Sequence, residues 1–500
     1  MGPAILMSRA QLGIKAPPVT IEVLLSGGLP KFNIVGLAEA AVRESKDRVR
    51  GAIVSSGFEF PQGRITVNLG PADMKKTGGR FDLPIALGIL AASRAVPPDS
   101  LDAIEFYGEL GLNGEIRSIP GALPAALKAK RAGRSLFVPK GNAAEARLSS
   151  AEVYVAGNLL EVTAHLNGYE AKEQQPPLRP GAGDSNGPDI GEVKGQRLAK
   201  RALEIAAAGG HNILFVGPPG TGKSMLARRL PGILPSMTEA EALETAAVKS
   251  ILGRDIDLRE WRIRPFRSPH HTASAAALVG GGQDPRPGEV SRAHNGVLFL
   301  DELPEFKRHV LDSLREPMEA GVIAIARAGR EAEFPARFQL VAAMNPCPCG
   351  YLGDTRGDCG CTAERVHNYR SKVSGPLLDR IDIHMQVQRP PKESLRPGAT
   401  PGESSKVVSA RVRDARNIQI RRAGICNAQL EGDKLFEHCR LTAEGWRLLE
   451  KAMDSFAMSA RAHQKVLRLA RTIADISHEE RILPRHVGEA LSLRQLDRKS

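Results

Sequence analysis

The chain has 500 residues, of which 42% are hydrophobic and 25% are charged, as in an ordinary globular protein of several domains. Its longest apolar run, at 83–92, is about half the length needed to cross a bilayer. Its first residues lack the basic and apolar regions of a signal peptide. These features argue against a membrane protein and predict a cytoplasmic one. The formal charge of +13 favours polyanionic partners such as nucleic acid.

Two polar, proline-rich segments, at 171–190 and 388–405, divide the chain. The part before the first segment mixes strand-like runs with helical stretches and predicts an α+β domain. The middle part alternates strands, glycine-rich turns and helices, as an α/β nucleotide-binding fold does. The last part has a helical pattern. The predicted division is residues 1–170, 171–190 (a linker), 191–390 and 406–500.

The N-terminal part resembles the S5-like fold of the Lon protease catalytic domain, most clearly at PADMKKTGGRFDLPIA (71–86) and at 107–142. Lon-type proteolysis needs a serine nucleophile and a lysine general base. The segment where the serine is expected reads GRFDLPIA, and Pro124 stands where the lysine is expected, with Lys128 four residues further on. The resemblance therefore implies the fold without the protease activity. We expect this domain to bind DNA or to organise a ring.

A strand, a glycine-rich loop and a helix follow one another in NILFVGPPGTGKSMLARRL (212–230). The glycines let backbone N–H groups surround phosphate at a helix N-terminus. The lysine adds charge at the β- and γ-phosphates, and the serine hydroxyl can ligate Mg²⁺. The pattern predicts a site for ATP and Mg²⁺. Its predicted residues are Gly217, Pro218, Pro219, Gly220, Thr221, Gly222, Lys223, Ser224 and Met225.

An acidic pair ends the next strongly apolar strand, in NGVLFLDELPE. Asp301 is predicted to hold Mg²⁺ through water, and Glu302 to orient and polarise the attacking water. Between these two motifs lies the segment 264–296, which carries the paired histidines His270 and His271. Neither spacing nor partners support a metal there, and we expect a mobile insert that responds to the nucleotide.

Three further polar residues lie in suggestive positions. Asn345 ends the apolar strand FQLVAAMNP and is predicted either to contact the γ-phosphate or the attacking water, or to cap a turn. Arg380 lies between acidic residues in GPLLDRIDIH, and Arg461 begins an amphipathic helix. Taken in isolation, each arginine is a solvated or ion-paired side chain.

The order of these motifs resembles that of the AAA+ ATPases of the magnesium-chelatase group. Over nearly its whole length the sequence is similar to the ComM/YifB family of magnesium-chelatase-like proteins. The segments that carry the resemblance are PADMKKTGGRFDLPIA, PFRSPHHTASAAALVGGG, AAMNPCPCGYLGD, SGPLLDRIDIH and ARTIAD. The resemblance implies an AAA+ core with a C-terminal helical lid, after an α+β S5-like domain.

The resemblance also implies roles for the polar residues. Asn345 becomes the first sensor, Arg380 an arginine finger for the ATP of a neighbouring subunit, and Arg461 the second sensor. A finger in trans requires an oligomer, and the family implies a hexameric ring. In related ATPases the hairpin before the first sensor points into the ring pore. Here Arg327 and Arg330 can follow a phosphate backbone, or can serve only the solubility of an exposed hairpin.

Four of the six cysteines lie close together, as Cys347, Cys349, Cys359 and Cys361. Four thiolates on two short arms can close a tetrahedral structural zinc site, with His367 as a possible substitute ligand. Reduced thiols without metal and an iron–sulfur cluster remain alternatives. We expect the cluster to stiffen the path between Asn345 and Arg380. Cys426 and Cys439 are expected to be ordinary buried thiols.

Taken together, the sequence predicts an ATP-driven hexameric motor on single-stranded or branched DNA. The role in branch migration, as in natural transformation, rests on the family resemblance alone. One alternative is a chelatase-type ATPase subunit that remodels a partner for metal insertion, although a D-x-S-x-S metal-adhesion motif is lacking. Another is a protein unfoldase that has lost its peptidase.

Overall fold

The computed structural model describes residues 2–181, 183, 187–282, 285–327, 330–354, 357–396, 402–456 and 458–494. The chain forms two compact units. The N-terminal unit contains Met1–Gly181, Glu239–Trp261 and Ala324–Phe334. The core unit contains Ala182–Thr238, Arg262–Ile323 and Pro335–Ser500. Within the described residues, every helix is too short or too polar to span a membrane.

The elements up to residue 170 are a mixture of strands and helices. The strands are β1 (Ala4–Arg9), β2 (Pro18–Ser26), β3 (Lys31–Val35), β4 (Arg64–Gly70), β5 (Ile104–Phe106), β6 (Glu109–Leu110), β7 (Ile116–Arg117), β8 (Ser135–Pro139) and β9 (Val153–Ala156). The helices are α1 (Ala40–Arg43), α2 (Ser45–Ser55), α3 (Asp82–Ala92), α4 (Ala122–Arg131), α5 (Ala143–Leu148) and α6 (Leu159–Leu166).

The elements after residue 190 are again mixed, and end in helices. The strands are β10 (Ile213–Val216), β11 (Phe266–Arg267), β12 (Gly280–Gly281), β13 (Arg286–Pro287), β14 (Val297–Leu300), β15 (Val322–Arg327), β16 (Arg330–Pro335), β17 (Gln339–Met344) and β18 (Ile383–Gln386). The helices are α7 (Arg197–Gly209), α8 (Lys223–Ala227), α9 (Glu239–Ile251), α10 (Ala275–Val279), α11 (Glu289–Arg292), α12 (Arg308–Asp312), α13 (Arg315–Ala320), α14 (Ala363–Arg370), α15 (Gly375–Leu378), α16 (Ser405–Ala423), α17 (Gly432–His438), α18 (Ala443–Phe456), α19 (Ala460–Ile476) and α20 (Pro484–Ser492).

The N-terminal unit is built on a mixed sheet with the order β3-β4-β2-β1-β5-β8-β9. Strands β1, β2 and β4 pair antiparallel, whereas β5, β8 and β9 continue the sheet in parallel. Alternate residues of β2, such as Val19, Ile21 and Val23, are buried against the core, which is the period-2 pattern of a strand covered on one face. The predicted α+β character of this part is confirmed.

The longest apolar run of the sequence forms the buried helix α3. All its residues from Asp82 to Ala91 are buried. A side-chain carbon at Gly88 would lie 2.5 Å from Val23 Cγ2, so the glycine lets the helix approach the sheet closely. The run therefore forms a helix of the protein core. This agrees with its length, which is about half of what a bilayer crossing needs.

Two segments from beyond residue 190 belong to the N-terminal unit. Helix α9 packs against α4, where Ser250 O accepts a hydrogen bond from Gly121 N at 2.9 Å. In β16, Glu333 pairs with Lys15 at 2.9 Å. The division predicted from the sequence did not anticipate this grouping, and its boundaries stay a prediction.

The core unit contains a parallel sheet with the order β11-β14-β17-β10-β18. Its three central strands are buried over their whole length, as the unbroken apolar runs of the sequence predict for a sheet covered on both faces. Helices α7, α16 and α19 join the same hydrophobic core as these strands. The core unit therefore combines a parallel α/β sheet with C-terminal helices, as predicted.

Candidate nucleotide site

The glycine-rich loop between β10 and α8 comprises residues 217–222 and is called the P-loop below. Gly220 and Gly222 have φ values of +76° and +91°, a region that favours glycine. A side-chain carbon at either position would meet no other atom within 4 Å, so the backbone conformation and not a lack of space calls for glycine. At Gly217 a side-chain carbon would lie 2.2 Å from Val387 O, so this glycine is required by a close backbone approach. Thr221 is buried and donates to Pro218 O at 2.9 Å, whereas Met225 is half exposed.

Lys223 is folded back onto the loop that precedes it. Its Nζ donates to Gly217 O at 2.6 Å, to Pro218 O at 2.9 Å and to Asn345 Oδ1 at 3.1 Å. The side chain is buried, and this burial lowers the pKa of Lys223. The negative charges of Asp301 and Glu302 act in the opposite direction and offset part of this effect. The lysine therefore sits between the P-loop and the end of β17.

The acidic pair lies at the end of β14. Asp301 Oδ2 accepts a hydrogen bond from Ser224 Oγ at 2.6 Å, so the predicted Mg²⁺ ligand Ser224 meets the residue predicted to hold Mg²⁺ through water. A hydroxyl and a carboxylate are oxygen donors of the kind that Mg²⁺ takes beside substrate phosphates. Glu302 has φ +51° and ψ +48°, an uncommon left-handed backbone for a residue other than glycine. Such outliers cluster at functional sites, where the surrounding structure maintains them.

One neighbour of Glu302 was not predicted. His271 Nδ1 lies 3.3 Å from Glu302 Oε2, and the His271 ring lies 4.1 Å from the ring of His270. The available signal was the position of the histidines just after β11, because β11 and β14 are adjacent parallel strands whose carboxyl ends meet at one edge. The mobility expected for this segment stays a prediction.

The first predicted sensor reaches the P-loop. Asn345 follows β17, which pairs directly with β10, and its side chain accepts from Lys223. The predicted finger and second sensor do not reach the P-loop of their own chain: among the described contacts Arg380 bonds Glu319 and Pro376 O, and Arg461 lies 3.9 Å from Asp379. The side chains of Arg327 and Arg330 lie outside the described residues.

The four clustered cysteines converge on one point. Their sulfurs all lie within 4.8 Å of one another, with Cys347 Sγ 3.3 Å from Cys349 Sγ and 3.7 Å from Cys359 Sγ. A tetrahedron of Zn–S bonds of about 2.3 Å places its sulfurs roughly 3.8 Å apart, so this donor set fits zinc. The Tyr351 backbone N–H and Cys347 lower the pKa of the Cys349 thiol to about 6, whereas the neighbouring sulfurs raise the pKa of Cys359 and Cys361. Without a metal ion the group therefore favours a single thiolate, at Cys349.

The remaining two cysteines lie outside this cluster. Cys439 is buried, as expected, and burial raises its pKa to about 12. Cys426 is only half-buried, which differs from the prediction, because it lies in the turn after α16. Its sulfur accepts from Arg416 Nη1 at 2.6 Å.

Three family models together match most of the chain. Residues 21–142 match the model for subunit ChlI of Mg-chelatase. Residues 189–395 match the model for magnesium chelatase, subunit ChlI, and residues 402–494 match the model for its C-terminal part.

Relatives of known sequence extend this similarity. The chain is 49% identical to the uncharacterized protein YifB of Salmonella typhimurium and 48% identical to the competence protein ComM of Haemophilus influenzae. Both matches cover 100% of this chain and 98% of the relative. The 38 kDa subunit of magnesium chelatase from Cereibacter sphaeroides is 29% identical over 40% of this chain and 58% of its own length. The chain therefore belongs to the ComM/YifB family of magnesium-chelatase-like AAA+ ATPases.

Proposed function

We propose that this protein is an ATP-driven motor that works on DNA as a hexameric ring and migrates branched junctions. The proposal is supported above all by the convergence of Lys223, Ser224, Asp301, Glu302 and Asn345 at one edge of the core sheet. A relative that is named a competence protein and the net charge of +13 support DNA as the substrate. The predicted cytoplasmic location is part of the proposal.

ATP hydrolysis would use the residues of this edge in distinct roles. On nucleotide binding, Lys223 exchanges the carbonyls of Gly217 and Pro218 for the β- and γ-phosphates. Ser224 and, through water, Asp301 would hold Mg²⁺, which would supply positive charge at the phosphates. Glu302 orients and polarises the attacking water, and Asn345 contacts that water or the γ-phosphate.

The proposed transition state also takes an arginine from outside the site, because among the described contacts neither Arg380 nor Arg461 reaches the P-loop of its own chain. The Arg380 side chain is 14% exposed and pairs with Glu319, whose side chain is 60% exposed. On assembly, the guanidinium would exchange this surface partner for the ATP of a neighbouring subunit. Arg461, which is largely exposed at the start of α19, is the proposed second sensor on the lid. A finger supplied by a neighbour requires an assembly, and a closed ring is the arrangement that gives every site such a neighbour.

The strand pair β15 and β16 is the proposed DNA contact within the pore, through Arg327 and Arg330. A contact with the phosphate backbone is independent of sequence and weakens as salt increases. The four cysteines are proposed to hold a structural zinc ion, for which their geometry fits.

The proposal is tested by the rate of ATP hydrolysis with and without a four-way DNA junction, over a range of salt concentrations. We expect the junction to raise the rate at least about tenfold, with stimulation falling steadily as salt rises. Lys223→Ala is the control for contaminating ATPases. A rate that ignores DNA but rises with a porphyrin-chelatase partner would support the chelatase-type alternative instead, which the similarity to the 38 kDa chelatase subunit favours.

A further inference from the structure

The segment that carries the first two cysteines lies against the P-loop. This segment, residues 346–354, is called the cysteine loop. At Gly350, which has φ +87°, a side-chain carbon would lie 2.8 Å from Pro219 Cδ and 3.8 Å from Asn345 Cγ. The backbone of the cysteine loop therefore touches both the P-loop and the residue that accepts from Lys223, and only glycine fits there.

The far end of the cysteine loop is fixed by an ion pair between a buried carboxylate and a partly exposed arginine. Arg389 Nε lies 2.9 Å from Asp354 Oδ2 and 3.2 Å from Asp354 Oδ1. The Asp354 side chain is 2% exposed. A buried carboxylate is costly without a partner, so this pair holds the end of the loop in place.

The sheet order shows what this pair spans. The cysteine loop follows β17 and Arg389 follows β18, while β10, which leads into the P-loop, lies between those two strands. All three strands are parallel, so their carboxyl ends share one edge. The Asp354–Arg389 pair therefore connects the two neighbours of β10 across the start of the P-loop.

The same side of the P-loop has a second connection. Gln196 Nε2 donates to Thr221 O at 3.0 Å and to Gln388 O at 2.6 Å, next to Arg389. Val387 N donates to Val216 O at 2.8 Å. The segment 387–389 is thus fastened to both ends of the P-loop, and a change in its position is transmitted there.

The other end of the cysteine loop begins at the metal-ligand cluster. Cys347 is fully buried, and Gly350 N donates to Cys347 O at 3.0 Å, which closes the turn that presents Gly350 to Pro219. The second arm, with Cys359 and Cys361, leads into α14, whose Arg370 Nε donates to Pro346 O at 3.1 Å. A metal ion bound by both arms would therefore fix the turn that contacts the P-loop.

We propose that the cysteine loop is a wall of the nucleotide site, and that Asp354 and Arg389 are positioning residues for the P-loop. Metal loading of the four cysteines then sets the affinity for nucleotide. The inference rests on the ATP and zinc sites proposed above, but it is independent of the proposed action on DNA. It differs from the path toward Arg380 that the sequence predicts for the cluster.

The first test measures the dissociation constant of a fluorescent N-methylanthraniloyl ATP in Mg²⁺ buffer. We expect Asp354→Asn and Arg389→Gln each to weaken binding about tenfold, with unchanged zinc content. The double variant that exchanges the two charges, Asp354→Arg with Arg389→Asp, should recover part of the loss. Asp257→Asn, at the exposed Asp257–Arg259 pair, is the matched control. Binding within twofold of the parent in both single variants, with unchanged thermal denaturation, overturns the proposal.

The second test removes zinc with a chelator at fixed Mg²⁺ and follows metal content by mass spectrometry alongside nucleotide binding. We expect affinity to fall as zinc is lost and to return when zinc is restored. Unchanged affinity in zinc-free protein overturns the metal part of the proposal. The two proposals can fail separately. If Asp354→Asn weakens nucleotide binding but DNA does not stimulate ATP hydrolysis by the parent protein, this inference is upheld and the proposed DNA motor function is overturned. A parent that does not bind the ATP analogue overturns both.

Discussion

His271 Nδ1 lies 3.3 Å from Glu302 Oε2, beside the residue proposed to polarise the attacking water. Together with the left-handed backbone of Glu302, this contact restricts where the carboxylate can point. We expect His271→Ala to lower kcat for ATP hydrolysis about tenfold with KM unchanged, because a misplaced general base loses transition-state stabilisation. The measurement is steady-state kinetics at saturating DNA. His270→Ala is the control, since His270 Nδ1 contacts Thr272. Equal losses in both variants would show that the pair has only a structural role.

A finger in trans makes a prediction about mixed assemblies. Lys223→Ala and Arg380→Ala chains should each be inactive alone. In an equal mixture, about one interface in four joins an intact P-loop to an intact finger, so partial ATPase activity should return. The activity is measured after mixing at several ratios. If no ratio restores it, Arg380 acts within its own chain or not at all.

The lid depends on a buried carboxylate. Asp475 Oδ1 and Oδ2 accept from Arg422 at 2.7 and 2.9 Å, and Asp475 also bonds Arg471 and Asn427. Removing it takes the carboxylate away from the buried Arg471 and the partly buried Arg422, so Asp475→Ala should lower the free energy of unfolding by about 3–5 kcal/mol. Urea denaturation measures the loss. The exposed Asp454 of α18 supplies the control, whose alanine variant should change stability far less.

The stability of the lid should also depend on pH. His486 is 2% exposed and accepts a hydrogen bond from Leu483 N at its Nδ1, as a neutral ring does. Burial, with Arg485 and Arg471, lowers the pKa of His486. The unfolded chain therefore takes up the proton first, and the stability present above about pH 6.5 is lost as the pH falls through the lower folded-state pKa.

The variant that tests this pH dependence is His486→Gln. Glutamine does not titrate, and it can accept the same backbone hydrogen bond at the third position of a helix. We expect its unfolding free energy to match the parent at pH 7.5 and to fall less between pH 6.5 and 5. Urea denaturation at each pH measures this. Parallel curves for the two proteins would assign the acid sensitivity to other groups.

Much of the fold was predictable because its signals are local. The strand-like runs, the P-loop and the helices after residue 405 are each set by the pattern of neighbouring residues. The P-loop, Ser224, Asp301 and Asn345 could be placed together because the carboxyl ends of parallel strands share an edge. The convergence of the four cysteines likewise follows from their spacing on two short arms.

The remaining features depend on contacts between distant parts of the chain. Nothing near Asp354 indicates that its partner is Arg389, and nothing near Ser250 indicates that α9 packs on α4. The contact of His271 with Glu302 required knowledge of which strand lies beside β14. Strand order is set by the summed packing of the whole unit, so the sequence motifs alone did not reveal these neighbours.

The grouping of residues into units has a practical consequence for dividing this protein into fragments. The chain changes unit after residues 181, 238, 261, 323 and 334. A fragment that ends in the proline-rich linker would lose α9 and the residues of β15 and β16 from the unit in which they are packed. The complementary fragment would carry those same residues without their partners, so the linker is a visible boundary but a poor place for a protein engineer to cut.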